Sequence, residues 1–372
     1  MDTEARQNAT SSRKTVEAHM GNKVFSSYHQ PTASTSGSGD LAAAASMARW
    51  TGVVHVPLSR DGPLFRVAAS LVLLPAKTLA VPRANAILFM GDRVRGTGDP
   101  VIERLSDAAH IAGVLAGKLC GETNAWVLDA ACFAGPFAVY RELVPSVDTA
   151  GDPKGYDATG FPAATGVANI LAHSVAEIQN KFLGCSSKDS TVNQHPAASL
   201  SSYCHPRTII LGFSKGGVVS NQLVTELSCW ASGSMKNSVD VSQPNPSHPS
   251  HNLFVPTSAS DVLSSISEFH YVDVGLNCAG AYITDQAVIK KIGDYVLHAG
   301  QNLRFVLHGT LRQWSDPNRS WIRKEKDIML QLLRDEAKRC DGRLLVSEKM
   351  YFEGTPRSLL MHFEILEAMD IS

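Results

Sequence analysis

From Thr51 onward, short apolar runs alternate with longer segments whose apolar residues recur at helical spacing. Eight runs rich in Val, Ile, Leu and Phe, each bounded by turn residues, read as strands: Thr51–Pro57, Phe65–Leu74, Ala84–Phe89, Ala125–Ala131, Thr208–Phe213, Phe269–Val274, Leu303–Leu307 and Arg343–Tyr351. Six segments read as helices: Pro100–Leu119, Thr165–Phe182, Gly216–Cys229, Ala281–His298, Pro317–Cys340 and Ser358–Met369. The fifth is the clearest. Asp316 stands at an N-cap position and Pro317 in the first turn, and Trp321, Ile322, Ile328, Met329, Leu332 and Leu333 share one face. No helix separates the first two strands, so the sheet is expected to start antiparallel. From the third strand on, strand and helix alternate. That order predicts an α/β fold, a mostly parallel sheet of about eight strands with helices on both faces.

Polar and low-complexity stretches interrupt the pattern in three places. Residues 1–47 read as a disordered Ser/Thr-rich tail, because a stretch such as PTASTSGSGD buries too little apolar surface to order itself. Two loop insertions are expected, at about 184–206 and 232–260, on one domain of residues 48–372. The first 50 residues carry Arg6, Arg13, Lys14, Lys23 and Arg49 but also Asp2, Glu4 and Glu17, so transit peptide and plain tail both stay open.

Composition narrows the classes. Apolar residues are 44% and charged residues 19%, which suits a globular core. Thirty-four basic against thirty-five acidic residues give a net charge of -1, without the basic excess of a nucleic-acid binder. The longest apolar stretch is broken by Pro75 and Lys77, so no integral membrane segment is expected. Seven scattered cysteines with no Cys-x-x-Cys pair argue against a disulfide scaffold or a structural zinc, and favour an intracellular, reducing compartment.

The chemistry centres on Gly212-Phe213-Ser214-Lys215-Gly216. Chance alone gives about 0.2 Gly-x-Ser-x-Gly matches in this composition. Here the match lies directly between the strand-like Thr208–Leu211 and the helix-like residues from Gly217. That is the strand–turn–helix setting of a nucleophile elbow, and Ser214 is placed as the nucleophile. A base and an orienting acid should follow in chain order. His362, after the eighth strand and opening the last helix, is placed as the base. Asp316, after the seventh strand, is placed as the acid on loop position, with Asp273 at the end of the sixth strand as the alternative. Common hydrolases carry an acid after His-Gly-Thr-x; here Arg312 follows His308-Gly309-Thr310-Leu311.

An oxyanion hole needs two backbone N–H donors. Lys215 should give one, and Gly91 or Asp92, in the turn after the third strand, the other. A carboxylate near an oxyanion repels it, so either the Asp92 side chain points away, toward Arg93 or Arg95, or the hole is not a conventional one. The Lys215 side chain is expected to be solvated. Gly91 to Gly96 lacks the lysine of a phosphate loop, no Gly-x-Gly-x-x-Gly follows a strand, and His248 and His251 lack partners at metal spacing. No cofactor or metal is expected.

Several segments carry a resemblance: Leu88-Phe89-Met90-Gly91-Asp92, Ala125-Trp126-Val127, Ile210–Gly216, Tyr271-Val272-Asp273-Val274-Gly275-Leu276-Asn277, Phe305–Thr310 with Trp314, and Met361-His362-Phe363-Glu364. Together they resemble uncharacterised protein family 0565, the plant and animal relatives of the human chromosome-2 open-reading-frame-69 protein, over about residues 49–371. The resemblance implies an α/β-hydrolase-like fold, Ser214 as nucleophile and, for animal members, a mitochondrial location, with the cytosol as alternative. It supplies no substrate. Two functions are therefore expected. One is a serine hydrolase acting on a small-molecule or lipid acyl substrate, an ester, thioester or amide. The other is a catalytically inactive hydrolase-like protein that binds or scaffolds. No protein partner is named by the sequence.

Overall fold

A computed structural model describes residues 48–59, 62–119, 121–184, 206–233 and 253–371. The expected tail and most of both expected insertions lie outside the described residues. In chain order the elements are β1 (Arg49–Pro57), β2 (Leu64–Val72), β3 (Ala84–Phe89), α1 (Pro100–Leu105), α2 (Ala108–Lys118), β4 (Thr123–Asp129), β5 (Cys132–Ala134), β6 (Phe137–Val139) and α3 (Pro162–Gly184). Then come β7 (Arg207–Phe213), α4 (Gly217–Ala231), α5 (Ala259–Ser265), β8 (Ile266–Val272), α6 (Gln286–Ala299), β9 (Leu303–Thr310), α7 (Leu311–Trp314), α8 (Ser320–Arg339), β10 (Leu344–Tyr351) and α9 (Leu359–Ala368).

Eight strands form one sheet in the order β1-β2-β4-β3-β7-β8-β9-β10. β2 pairs antiparallel with both β1 and β4, and every pairing from β4 to β10 is parallel. Period-two alternation then supplies two cores. Ile87, Phe89, Trp126, Leu128 and Ile210 face one side, where residues of α3, α4, α6 and α8 cover them. Ala86, Leu88, Ala125, Val127, Ile209 and Leu211 face the other, against α1, α2 and α9. Each fully buried Phe, Ile or Leu there contributes roughly 1.5–3 kcal/mol. This is the expected α/β-hydrolase-like fold: an antiparallel start, then parallel strands with helices on both faces. The described residues from 48 to 371 make one compact unit.

Several details differ from expectation, each for a local reason. The segment Pro100–Leu119 is two helices, because Asp107 caps a fresh start at Ala108. The helix expected from Pro317 opens as a 3-10 turn, Pro317–Arg319, before α8. In the stretch read as an insertion the chain is already packed by Val255, and α5 starts behind a capping box of Ser258 and Asp261. The short β5–β6 hairpin escaped the pattern because three-residue strands carry too little of it. Among the described residues, no helix is long and apolar enough to cross a membrane.

Candidate active site

β7 ends at Phe213 and α4 begins at Gly217, so the chain must reverse within the turn Ser214–Gly216. Ser214 carries the strain, with φ of +50°, a conformation that costs a non-glycine residue roughly 1–3 kcal/mol. The flanking glycines are steric necessities. A Cβ on Gly212 would meet Ser220 Oγ at 2.5 Å and Gly217 Cα at 2.8 Å, and one on Gly216 would overlap the Phe89 carbonyl. Gly91 is equally confined, since a Cβ there would overlap Lys215 N and Phe213 O. The turn after β3 therefore lies directly on the elbow.

His362 sits in the second turn of α9, behind the Ser358 cap. Its ring is 1% exposed and stacks on Phe213 at 4.7 Å. Nδ1 lies 2.6 Å from Asp273 Oδ2. Asp273 follows β8 at φ +44° and is fully buried. The Thr310 N–H donates to its Oδ1 at 2.7 Å and the Thr310 hydroxyl to its Oδ2 at 3.0 Å. So the acid in contact with His362 is the alternative, Asp273. Asp316 does not touch the ring. It accepts from Asn318 N at 2.9 Å and pairs with Arg319 at 2.9 Å, which together hold its carboxyl below the usual range against the opposing pull of burial. The N-cap demand at Pro317 takes up the residue that loop position had assigned to the ring. Thr310, which holds the Asp273 carboxylate, carries no sequence signal beyond its place in His308-Gly309-Thr310-Leu311.

Of the two courses open to Asp92, the turn toward Arg93 or Arg95 is not taken. Arg93 donates to Asp129 at 2.7 Å instead, and Asp92 Oδ2 faces His362 Nε2 at 3.1 Å. Among the described residues no hydrogen bond joins the ring to Ser214 Oγ. Both ring nitrogens thus face carboxylates, and an imidazole can satisfy both only with a proton on each. Burial alone would lower its pKa, but the bonds to Asp273 and Asp92 outweigh burial and raise it to about 9. Asp92 Oδ1 is buried without a partner.

Lys215 is buried, not solvated. Its Nζ donates to the Ala150 carbonyl, pairs with Asp152 Oδ1 at 2.9 Å, and sits 5.3 Å from the Phe137 ring centre. The cation beside the elbow therefore ties down the 148–152 turn. His308 is no rival base. It is buried in a chain running from the Tyr351 hydroxyl through His308 to His270, at 3.0 and 2.9 Å, and burial pushes its pKa down to about 2. The N–H groups of Gly91 and Asp92 carry no hydrogen bond among the described residues. Asp92, Phe137, Ser214, Lys215 and His362 wall a cleft of about 290 Å³ that also takes in Gly275, Leu276, Asn277, Arg312, Gln313, Asp316 and Arg319. Among the described residues, no group of three or more His, Cys, Asp or Glu could hold a metal ion.

By shape the chain is similar to the siderophore hydrolase EstB from Aspergillus nidulans, with a TM-score of 0.39 and 11% identity over 89% of this chain and 95% of that one. It is also similar to a feruloyl esterase module from Clostridium thermocellum, with a TM-score of 0.38 and 11% identity over 86% and 87%. Likenesses this distant carry no argument, and the fold rests on the sheet order and the strand–turn–helix elbow. By sequence, the chain is 27% identical over 159 residues to a mitochondrial protein C2orf69 homolog from Danio rerio. That match spans 42% of this chain and 36% of the relative's length. The C2orf69 family model matches residues 162–338, from the start of α3 into α8 and through the elbow. The resemblance to the C2orf69 proteins that the motifs carried is borne out over this segment.

Proposed function

We propose that the chain is a serine hydrolase of acyl compounds, with Ser214 as nucleophile, His362 as base and Asp273 as the orienting acid. The observation that carries this reading is the buried 2.6 Å contact of His362 with Asp273, set against the strained elbow at Ser214. Ser214 Oγ attacks the acyl carbon and passes its proton to His362 Nε2. The N–H of Lys215 and that of Gly91 or Asp92 receive the developing oxyanion. The intermediate collapses as Nε2 returns the proton to the leaving group, and water then clears the acyl-serine by the same route. Asp273 fixes the tautomer and stabilises the imidazolium. Esters, thioesters and amides all fit this scheme. The mitochondrial location named for the Danio rerio relative is carried over as part of the proposal.

The second reading, a non-catalytic hydrolase-like binding protein, has an observation of its own: Asp92 occupies the side of Nε2 that the nucleophile must use. In the hydrolase reading Asp92 swings off before each turnover. Hydrolysis of 4-nitrophenyl esters by wild type and Ser214→Ala tests the first reading. A release rate that vanishes in Ser214→Ala supports the triad. Equal release by both proteins contradicts it.

A further inference from the structure

Every cation along the cleft but one has a carboxylate of its own. Lys215 has Asp152, Arg319 has Asp316, and His362 has both Asp273 and Asp92. Arg312 makes no hydrogen bond or ion pair among the described residues, and its Nε is buried without a partner. Its neighbour Gln313 is 4% exposed, and Gln313 Oε1 is also buried and unpartnered. Buried polar groups are nearly always satisfied in native proteins, so two adjacent orphans on α7 facing one cleft are unusual. A guanidinium offers five donors in a fork that matches a carboxylate or phosphate.

We infer that Arg312 forms a subsite for an oxyanion carried by the substrate, a carboxylate or a phosphate, at the β9 end of the cleft. The inference rests on the reading of Ser214 as nucleophile and adds a substrate class to it. The sheet order supports the placement. Asp92 follows β3 and Arg312 follows β9, with β7 and β8 between them. Asp92 and Arg312 thus enter the cleft from the ends of different strands, with His362 and Asp273 between Asp92 and the β9 end. Because Asp273 supplies the acid, the residue after His308-Gly309-Thr310-Leu311 is free for recognition.

The test compares two 4-nitrophenyl esters of matched length, the neutral valerate and the half-ester of glutarate, in wild type, Arg312→Lys and Arg312→Gln. Wild type should favour the charged ester in kcat/KM by about tenfold or more. That ratio should collapse in Arg312→Gln and recover in part in Arg312→Lys. An unchanged ratio in Arg312→Gln, with an unchanged melting temperature, overturns the subsite. Protection of Ser214 from a fluorophosphonate by free glutarate or by inorganic phosphate separates the two anions, and either one supports the subsite. Should neither ester be hydrolysed, calorimetry with glutarate and phosphate decides. Binding by wild type that is lost in Arg312→Gln keeps the subsite while the hydrolase reading fails, and no binding of either anion overturns the subsite.

Discussion

At the scale of single residues, the pairing of His362 with Asp273 separates two carboxylates that the sequence left in competition. Asp273→Asn keeps the shape of the side chain but removes the charge that stabilises the imidazolium. Turnover of 4-nitrophenyl valerate should fall by about 10⁴-fold, as in other triads with the acid amidated. Asp316→Asn should stay within about tenfold of wild type, because Asn caps a helix nearly as well as Asp. Circular dichroism controls for folding. A collapse in Asp316→Asn with full activity in Asp273→Asn would reverse the assignment. The elbow at Ser214, the proposed nucleophile, was legible because two glycines and a strand–turn–helix context announce it. The carboxylate that meets His362 was not, because loop position cannot say where a carboxylate points. One signal was available. Asp273 stands between Val272 and Val274, both fully buried, and a charge inside a buried run needs a buried partner. Asp316, before Pro317, already had a sufficient explanation as a cap.

At the scale of elements, α3 and α4 meet through a buried carboxylate. Glu226 of α4 accepts from Ala163 N and Ala164 N, at the start of α3, each at 2.8 Å, and from Gln222 Nε2 at 2.9 Å. Burial outweighs these bonds and raises its pKa to about 7. The folded state therefore holds a proton that the unfolded chain has already lost. Stability from this group is greatest below about pH 4.5 and declines as pH rises through 7. Melting temperatures measured from pH 4.5 to 8 should show this decline in wild type and a flatter profile in Glu226→Gln. Identical slopes would contradict the assignment. The elements themselves were largely legible. Apolar periodicity located all eight strands of the main sheet, since each buries alternate residues on two faces. It blurred helix starts, because caps such as Asp107 and turns such as Pro317–Arg319 are local hydrogen-bonding choices that periodicity does not register.

At the scale of the molecule, the sheet gathers the ends of β3, β7, β8 and β9 on one edge, with α9 returning to close it. Asp92 and His362 are 270 positions apart, and Asp273 and His362 are 89 apart. No local pattern reports such meetings, which is why the contact of Asp92 with the base went unforeseen although each residue was singled out. That contact governs the resting state. With a carboxylate on each nitrogen, His362 is an imidazolium at neutral pH, and under the proposed mechanism it accepts no proton from Ser214 until Asp92 releases it or the pH passes about 9. The pair also stabilises the fold below pH 6.5, a contribution lost as pH rises through 9. The most direct measurement is the rate of Ser214 labelling by a fluorophosphonate as a function of pH, in wild type and Asp92→Asn, with Ser214→Ala as background. Wild type should label slowly at pH 7 and faster through an inflection near 9, and Asp92→Asn should shift that inflection to lower pH and label faster at pH 7. Absence of labelling in both proteins across the whole range would contradict a Ser214–His362–Asp273 triad held in check by Asp92.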